Sequence, residues 1–316
     1  MGPFFKLLEI MKTASKIELQ HIFKYDGDYT KTFDFKATDH YDPMNNYLMA
    51  QLCGLVYDTE EKIILQVNKW NKNTPSLKLK LTVEDIDSNR FMVVSNDIFL
   101  IVVFRGTQNM ENWLSDFDIA LVPFQNNQDL LVHQGFYQSV LDMGSKLEKI
   151  VSNHQKNDQK VYLTGHSLGA AQAILSAFVY SELETFSNVY TFGEPKIGDW
   201  GLTKHFNLHL NSSPPSYSSR IYRNINSMDP VPYVPVFYGL RFYYHEGLFY
   251  LFAPTIGAKY VIETTGDLGN EHVIDLPQKE LLGWNPIHHA IGDYIENAAA
   301  NKQNNVFLNE KRIEEH

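Results

Sequence analysis

The segment VYLTGHSLGAAQA, Val161–Ala173, constrains the fold more than any other part of the sequence, because it holds a serine with glycine two positions away on either side. A β-like apolar run precedes the GHSLG pentapeptide, and the good helix former AAQAILSAFVY follows it. A strand–turn–helix this tight needs glycine at both flanking positions. It predicts a nucleophile elbow that exposes Ser167 at a helix amino terminus, where peptide dipoles favour negative charge. The alternative is an ordinary turn whose serine caps the helix.

Strand-like and helix-like segments alternate along the chain, which predicts an α/β fold with a mostly parallel central sheet covered by helices on both faces. The predicted strands are Leu77–Val83, Arg90–Ser95, Ile98–Phe104, Lys160–Thr164, Asn188–Phe192 and Arg220–Ile225. The predicted helices are Tyr47–Tyr57, Phe136–Asn153, Ser167–Leu183 and Pro286–Asn297. Polar breaks such as Asn68–Ser76 and Gln125–Asp129 are interpreted as loops. We expect one domain over residues 1–316, with its core at about 47–297.

The overall charge and the single cysteine exclude some classes of function. A formal charge of −10 argues against broad binding to nucleic acid, which requires basic patches. One cysteine, Cys53, can form neither an intramolecular disulfide nor a cysteine-based zinc site. No run reaches the roughly 20 apolar residues of a membrane helix, and the first residues resemble no secretory signal. We therefore expect a soluble, cytoplasmic protein, with export by another route left open.

A serine nucleophile needs a base and an acid that orients the base, and after an elbow of this kind they are expected along the chain in the order Ser, Asp, His. Asp229 is the preferred candidate because it follows a strand-like segment and precedes Pro230, which ends the strand and leaves the carboxylate at the carboxyl edge of the sheet. The alternative is that Asp229 merely starts a turn. The other downstream candidates are Asp199, Asp267, Asp275 and Asp293.

The base has two adjacent candidates, His288 and His289, in NPIHHAIGDYI. A continuous helix would place His288 on one face with Ile291 and Ile295, which indicates a packed histidine, whereas His289 would point elsewhere. The helical pattern alone distinguishes His288 from His289 only weakly. His245 is a weaker rival, and His166 beside the serine is interpreted as a structural residue of the turn.

The predicted oxyanion hole has one donor on each of two loops. The backbone N–H of Leu168, next to the nucleophile, would supply the first. The second is expected after the buried strand IFLIVVF, where Gly106 allows close approach and Thr107 offers an N–H and a hydroxyl. The alternative is an ordinary turn, with Arg105 in a structural ion pair.

The sequence resembles the class 3, fungal-type lipase family of α/β-hydrolases. The matching segments occur in the family's order and cover roughly Tyr47 to Ile295. They are VVFRGTQNMENWLSDF, VHQGFYQSV, VYLTGHSLGAAQA, YTFGEPKIGD, NINSMDPVPYVP, YYHEG and HHAIGDYI.

By this resemblance Ser167 is the nucleophile, Asp229 the acid and His289 the base, while Thr107 and Leu168 line the oxyanion hole. The resemblance implies a lipid ester hydrolase of the acylglycerol lipase type, with no metal or organic cofactor and with transient contact to a lipid surface. A phospholipase A1, a soluble carboxylesterase and a lipase-like protein that only binds lipids or partners are the alternatives. The oligomeric state is left open.

Trp113, Leu114 and Phe117 can share one helical face after the oxyanion loop. By resemblance they would form a lid over an acyl groove; the alternative is that Trp113 belongs to the core.

The sequence also departs from the family pattern. Ala170 stands where glycine is common, Lys196 where arginine is usual, and His288 where aspartate is frequent. Secreted members of the family carry disulfides and a signal peptide. Their absence here argues against an extracellular role.

Overall fold

The computed structural model describes residues 24–107, 120–156, 159–180, 186–208, 220–226, 228–235, 237–238, 241–245, 248–252, 259–262 and 286–301. The helices are α1 (Pro43–Leu55), α2 (Glu60–Asn73), α3 (Gln134–His154), α4 (Leu168–Val179), α5 (Trp200–Leu208) and α6 (Ile291–Asn301), with short 3-10 helices at Val231–Tyr233 and Pro286–His289. The first seven strands are β1 (Lys80–Ile86), β2 (Asn89–Ser95), β3 (Phe99–Phe104), β4 (Leu121–Phe124), β5 (Asn127–His133), β6 (Lys160–His166) and β7 (Asn188–Phe192). The others are β8 (Gly198–Asp199), β9 (Ile221–Asn226), β10 (Phe237–Tyr238), β11 (Arg241–Tyr244), β12 (Leu248–Phe252) and β13 (Lys259–Ile262).

The central sheet has eight strands in the order β1-β2-β3-β6-β7-β9-β12-β13. Its five middle strands, β3, β6, β7, β9 and β12, run parallel. The outer strands pair antiparallel, as hairpins at both edges. The α/β class predicted from the sequence is confirmed, and the parallel part of the sheet is its centre.

A second sheet, with the order β10-β11-β8-β5-β4, has no counterpart in the sequence-based prediction. Two of its strands have only two residues each, too few for an alternating pattern. The polar stretch at Gln125–Asp129 includes the turn of its β4–β5 hairpin, in which Gln125 and Asn126 both have positive φ. Distant partners such as Val132 and Gly198 bring the strands together.

Helix α2 overturns the loop expected at Asn68–Ser76, because the helix continues to Asn73. Its buried residues Ile63, Val67 and Trp70 recur at helical spacing and form one apolar stripe. The polar residues that resembled a loop belong largely to the opposite, exposed face. In this segment the helical spacing of the apolar residues is therefore a better predictor of structure than the number of polar residues.

Apolar clusters cover both faces of the central sheet. On β3, Leu100, Val102 and Phe104 belong to the cluster that contains residues of α3 and α4. Ile101 and Val103 point to the other face, into the cluster with residues of α1, α2 and α6. Burying a side chain of this kind contributes about 1.5–3 kcal/mol, so the two clusters stabilise the sheet from both faces. In the described part of the chain, every helix is too short or too polar to cross a membrane.

Candidate active site

The carboxyl ends of four parallel strands meet at one edge of the central sheet. Phe104 at the end of β3 is in register with Gly165 of β6. His166 is in register with Phe192, the last residue of β7, which is in turn in register with Asn224 of β9. In open α/β sheets this edge is where ligands bind. The candidate site is built on the loops that follow these strands.

Ser167 stands between β6 and α4 in a strained conformation, with φ 59° and ψ −129°. A Cβ atom on Gly165 would overlap the carbonyl oxygen of Gly169, and one on Gly169 would overlap that of Phe104. Both positions therefore exclude any side chain. Strain of this kind costs about 1–3 kcal/mol and is typical of functional turns. The side chain of Ser167 makes no capping hydrogen bond to α4, which contradicts the helix-cap interpretation.

Asp229 and His289 form a buried pair at the same edge. His289 Nδ1 donates to Asp229 Oδ2 at 2.7 Å, and both side chains are inaccessible to solvent. The Tyr294 hydroxyl donates to the same carboxylate oxygen at 2.7 Å, and the Val231 backbone N–H donates to the other at 2.8 Å. Because the carboxylate only accepts, His289 carries a proton on Nδ1, and in the neutral ring this tautomer leaves Nε2 with a lone pair.

Ser167 Oγ and His289 Nε2 are both buried, and neither has a hydrogen-bond partner among the residues that the structure describes. Buried polar atoms without partners are uncommon, and each calls for an explanation. In enzymes without bound substrate, the hydrogen bond between nucleophile and base is often long and shortens in the reactive complex. A buried hydroxyl and a buried imidazole nitrogen are thus left for reacting groups to satisfy.

The predicted oxyanion loop lies against the elbow. A Cβ atom on Gly106 would lie 2.6 Å from the His166 carbonyl oxygen and 3.1 Å from Ser167 Cβ. Thr107, the next residue, is half-buried. Leu168 is the first residue of α4, so its N–H has no partner within the helix. The Leu168 N–H is thus next to the nucleophile in the chain. Thr107 follows the glycine that packs against the nucleophile.

Of the two adjacent histidines, His289 is the one paired with Asp229, and the expectation of a packed His288 is wrong. The His288 side chain is 31% exposed and contacts Asp293 at 3.3 Å. The helical period used for His288 fails because Pro286–His289 is a 3-10 helix and α6 begins only at Ile291.

The other candidates have different partners. His245 Nε2 lies 2.6 Å from the carbonyl oxygen of Pro232, and its Nδ1 lies 3.5 Å from Glu194. Asp199 accepts backbone hydrogen bonds from Leu131 and Leu202. Asp267 and Asp275 lie outside the described residues. So do Trp113, Leu114 and Phe117, whose role as a lid stays a prediction.

Two further residues contact the pair: Tyr294, which lies in the HHAIGDYI segment of the family resemblance, and Gly193, which the sequence did not single out. Tyr294 donates to Asp229, and burial raises its pKa well above the usual value, so it remains a donor. Gly193 follows β7 with φ 59°, and a Cβ atom there would lie 2.8 Å from His289 Cε1 and 2.9 Å from Asp229 Oδ2. The sequence did hold a signal for Gly193, because it is a glycine directly after a predicted strand that ends at this edge of the sheet.

Comparison with known proteins identifies similar chains. The model of the family described as Lipase (class 3) matches residues 101–239, a region that includes Ser167 and Asp229 and ends before His289. A lipase of Rhizomucor miehei is 32% identical over 143 residues, which are 43% of this chain and 37% of that protein. A protein named phospholipase A1-II 6, from Oryza sativa, is 25% identical over 169 residues, 43% of this chain and 40% of that protein. The chain thus spans less than half the length of these relatives.

The solved structure of the Rhizomucor miehei triacylglyceride lipase superposes with a TM-score of 0.54, at 23% identity, over 77% of this chain and 95% of that one. At this identity the likeness establishes the fold, which is the α/β-hydrolase fold.

Proposed function

Because the chain belongs to the class 3 lipase family of α/β-hydrolases, we propose that it hydrolyses carboxylic esters of lipids through an acyl-enzyme on Ser167. The observation that carries the proposal is the buried Asp229–His289 pair beside a serine held in a strained elbow. Nucleophile, base and orienting acid within one site are what acyl transfer requires.

In the acylation step, Ser167 Oγ attacks the ester carbonyl carbon while His289 Nε2 takes the hydroxyl proton. The carbonyl π electrons move to oxygen and form a tetrahedral oxyanion. As that intermediate collapses, the bond to the leaving alcohol breaks and the alcohol oxygen takes the proton from Nε2. Asp229 stabilises the imidazolium and keeps the Nδ1–H tautomer in place.

Deacylation repeats the sequence with water. His289 Nε2 takes a proton from the water as its oxygen attacks the acyl carbon. The second oxyanion then expels Ser167 Oγ, which regains the proton, and a carboxylic acid leaves. The Leu168 N–H and Thr107 would bind the oxyanion in both steps, and losing one such donor costs about 3–4 kcal/mol of transition-state stabilisation.

Acylglycerols are the proposed substrates, consistent with the lipase named among the relatives. The relative named phospholipase A1 favours a phospholipid sn-1 ester as the second candidate. The cytoplasmic location and the single domain predicted from the sequence stay predictions.

The test is labelling with a fluorophosphonate probe, which reacts with activated serines. The native chain should label and Ser167→Ala should not. Ser176→Ala is the matched control, because Ser176 is another buried serine on α4, nine residues further along. It should label at the native rate.

A panel of emulsified triacylglycerol, diacylglycerol, phosphatidylcholine and a short-chain ester would then sort the substrates. Preference for acylglycerols supports the lipase assignment, and preference for phosphatidylcholine supports the phospholipase. If folded native protein shows neither labelling nor turnover, even with detergent or liposomes, the hydrolase proposal fails in favour of a binding role.

A further inference from the structure

We propose that Tyr57 and His166 are positioning residues, which join the oxyanion loop to the backbone of His289 through one chain of hydrogen bonds. The inference rests on the proposed function, since it concerns the same base and the same loop. It assigns roles to a tyrosine that the sequence did not single out and to a histidine interpreted only as part of the turn.

The chain of contacts runs across three elements of the fold. The Tyr57 hydroxyl, just after α1, lies 3.1 Å from His166 Nδ1. His166 Nε2 lies 2.8 Å from the carbonyl oxygen of His289. At the other end, Gly106 makes a backbone hydrogen bond to the Tyr57 hydroxyl, and a Cβ atom on Gly106 would overlap that hydroxyl. His166 and His289 are buried, and Tyr57 is partly buried.

The proton positions along this chain follow from the acceptors at its ends. The His289 carbonyl can only accept, so His166 Nε2 carries a proton. Burial and the nearby His289 lower the pKa of His166 well below its usual value, so the ring is neutral and its Nδ1 accepts. Burial raises the pKa of Tyr57, so its hydroxyl stays protonated and donates to Nδ1. The hydroxyl oxygen in turn accepts from the Gly106 N–H, and every donor meets an acceptor.

This arrangement gives the base a second point of attachment. Asp229 holds the imidazole of His289 at Nδ1, while His166 holds its peptide carbonyl. His289 is the last residue of the 3-10 helix at Pro286–His289, and α6 begins two residues later at Ile291, so neither element fixes its backbone on both sides. An anchored carbonyl limits movement of Nε2 relative to Ser167. A misplacement of about 1 Å in such a group can cost roughly 100-fold in rate.

Tyr57→Phe tests the chain, because it removes the hydroxyl and keeps the ring that packs on His166 with centroids 6.0 Å apart. We expect kcat for a soluble short-chain ester to fall about 10- to 100-fold with KM unchanged, and fluorophosphonate labelling to slow in parallel. Tyr162→Phe is the matched control, since that hydroxyl donates to the Thr38 backbone carbonyl at 3.0 Å, outside this chain. It should keep the native kcat.

Two variants of His166 separate positioning from packing. Gln carries an amide N–H near the place of Nε2 and can donate to the His289 carbonyl, whereas Leu fills similar space without a donor. His166→Leu should lower kcat at least as far as Tyr57→Phe, and His166→Gln should recover most of the loss. Because the glutamine donor does not depend on Tyr57, Tyr57→Phe should cost less in His166→Gln, where only the Gly106 contact is lost, than in the native chain.

A native kcat in Tyr57→Phe overturns the proposal, as does a full additional loss when Tyr57→Phe is combined with His166→Gln. Equal activity of the Leu and Gln variants at position 166 also overturns it, and this comparison remains if Tyr57→Phe fails to fold. A native chain that neither labels nor hydrolyses any ester would instead count against the proposed function itself.

Discussion

The nucleophile and the acid–base pair lie at the same edge of the sheet but are built in different ways. Backbone packing shapes the Ser167 side, where the carbonyls of Gly169 and Phe104 leave no room for a Cβ atom on Gly165 or on Gly169. Side-chain hydrogen bonds across long sequence separations shape the other side, where Asp229 is 60 residues from His289 and 65 from Tyr294. Changes on the first side should therefore damage folding, and changes on the second should damage catalysis in folded protein.

The largest effect is expected from Gly165→Ala. The added methyl would overlap the Gly169 carbonyl, which is backbone and has little freedom to move. We expect a loss of more than about 3 kcal/mol of unfolding free energy, or no folded protein, measured by chemical denaturation. Gly292→Ala is the control, since its nearest contact would be Tyr25 Cδ2 at 3.8 Å. A folded, native-like Gly165→Ala protein would show that the elbow tolerates a side chain.

Asp229→Asn tests the other side of the comparison. The amide cannot stabilise the imidazolium or hold the Nδ1–H tautomer, so kcat should fall by about 10⁴-fold. Far-ultraviolet circular dichroism should show a folded protein. A loss smaller than tenfold in a folded variant would remove Asp229 from the assigned role.

Gly193→Ala sharpens the comparison because Gly193 supports the acid–base pair by close packing. Its methyl would lie within 2.9 Å of both His289 and Asp229. Positive φ adds a cost of roughly 1–2 kcal/mol for a residue with a side chain. We expect a moderate loss of stability but about a 100-fold drop in kcat. If Gly193→Ala instead caused a severe loss of stability that accounted for the fall in kcat, Gly193 would resemble the elbow glycines and act mainly on folding.

The smallest effect concerns pH and stability. His166 is neutral in the folded protein with a lowered pKa, whereas in the unfolded chain it takes up a proton near pH 6.5. Below that pH the unfolded state binds more protons, so the unfolding free energy falls as pH falls. His166 contributes at most about 1.4 kcal/mol per pH unit to this decline.

His166→Gln should make that decline shallower, as measured by denaturant unfolding between pH 4.5 and about 7. Tyr57, His289 and Tyr294 are the titratable groups among the described residues whose rings pack on His166, and all three remain in the variant. Identical slopes in the native and variant proteins would show that His166 is protonated in the folded state.

The amino-acid sequence by itself determined the elbow and the class of fold. A serine between two obligatory glycines is a steric requirement of five consecutive residues, and the α/β class follows from elements of regular period. Both are local properties of the chain. The side chains of β3 likewise alternate between the two apolar clusters, which is a local consequence of strand geometry.

Only the tertiary structure decided where the second sheet forms, that Tyr57 and Gly193 border the site, and that Tyr294 donates to Asp229; the choice of His289 came from the family resemblance. The structure also explains why the packing expected of His288 fails: a 3-10 helix interrupts the helical period, so His289 lies inside and His288 is partly exposed. The contacts of Tyr294 with Asp229 and of His166 with the His289 carbonyl join residues 65 and 123 positions apart. Such hydrogen bonds depend on where the loops after β9 and before α6 return to the sheet, and local patterns along the chain do not encode that position.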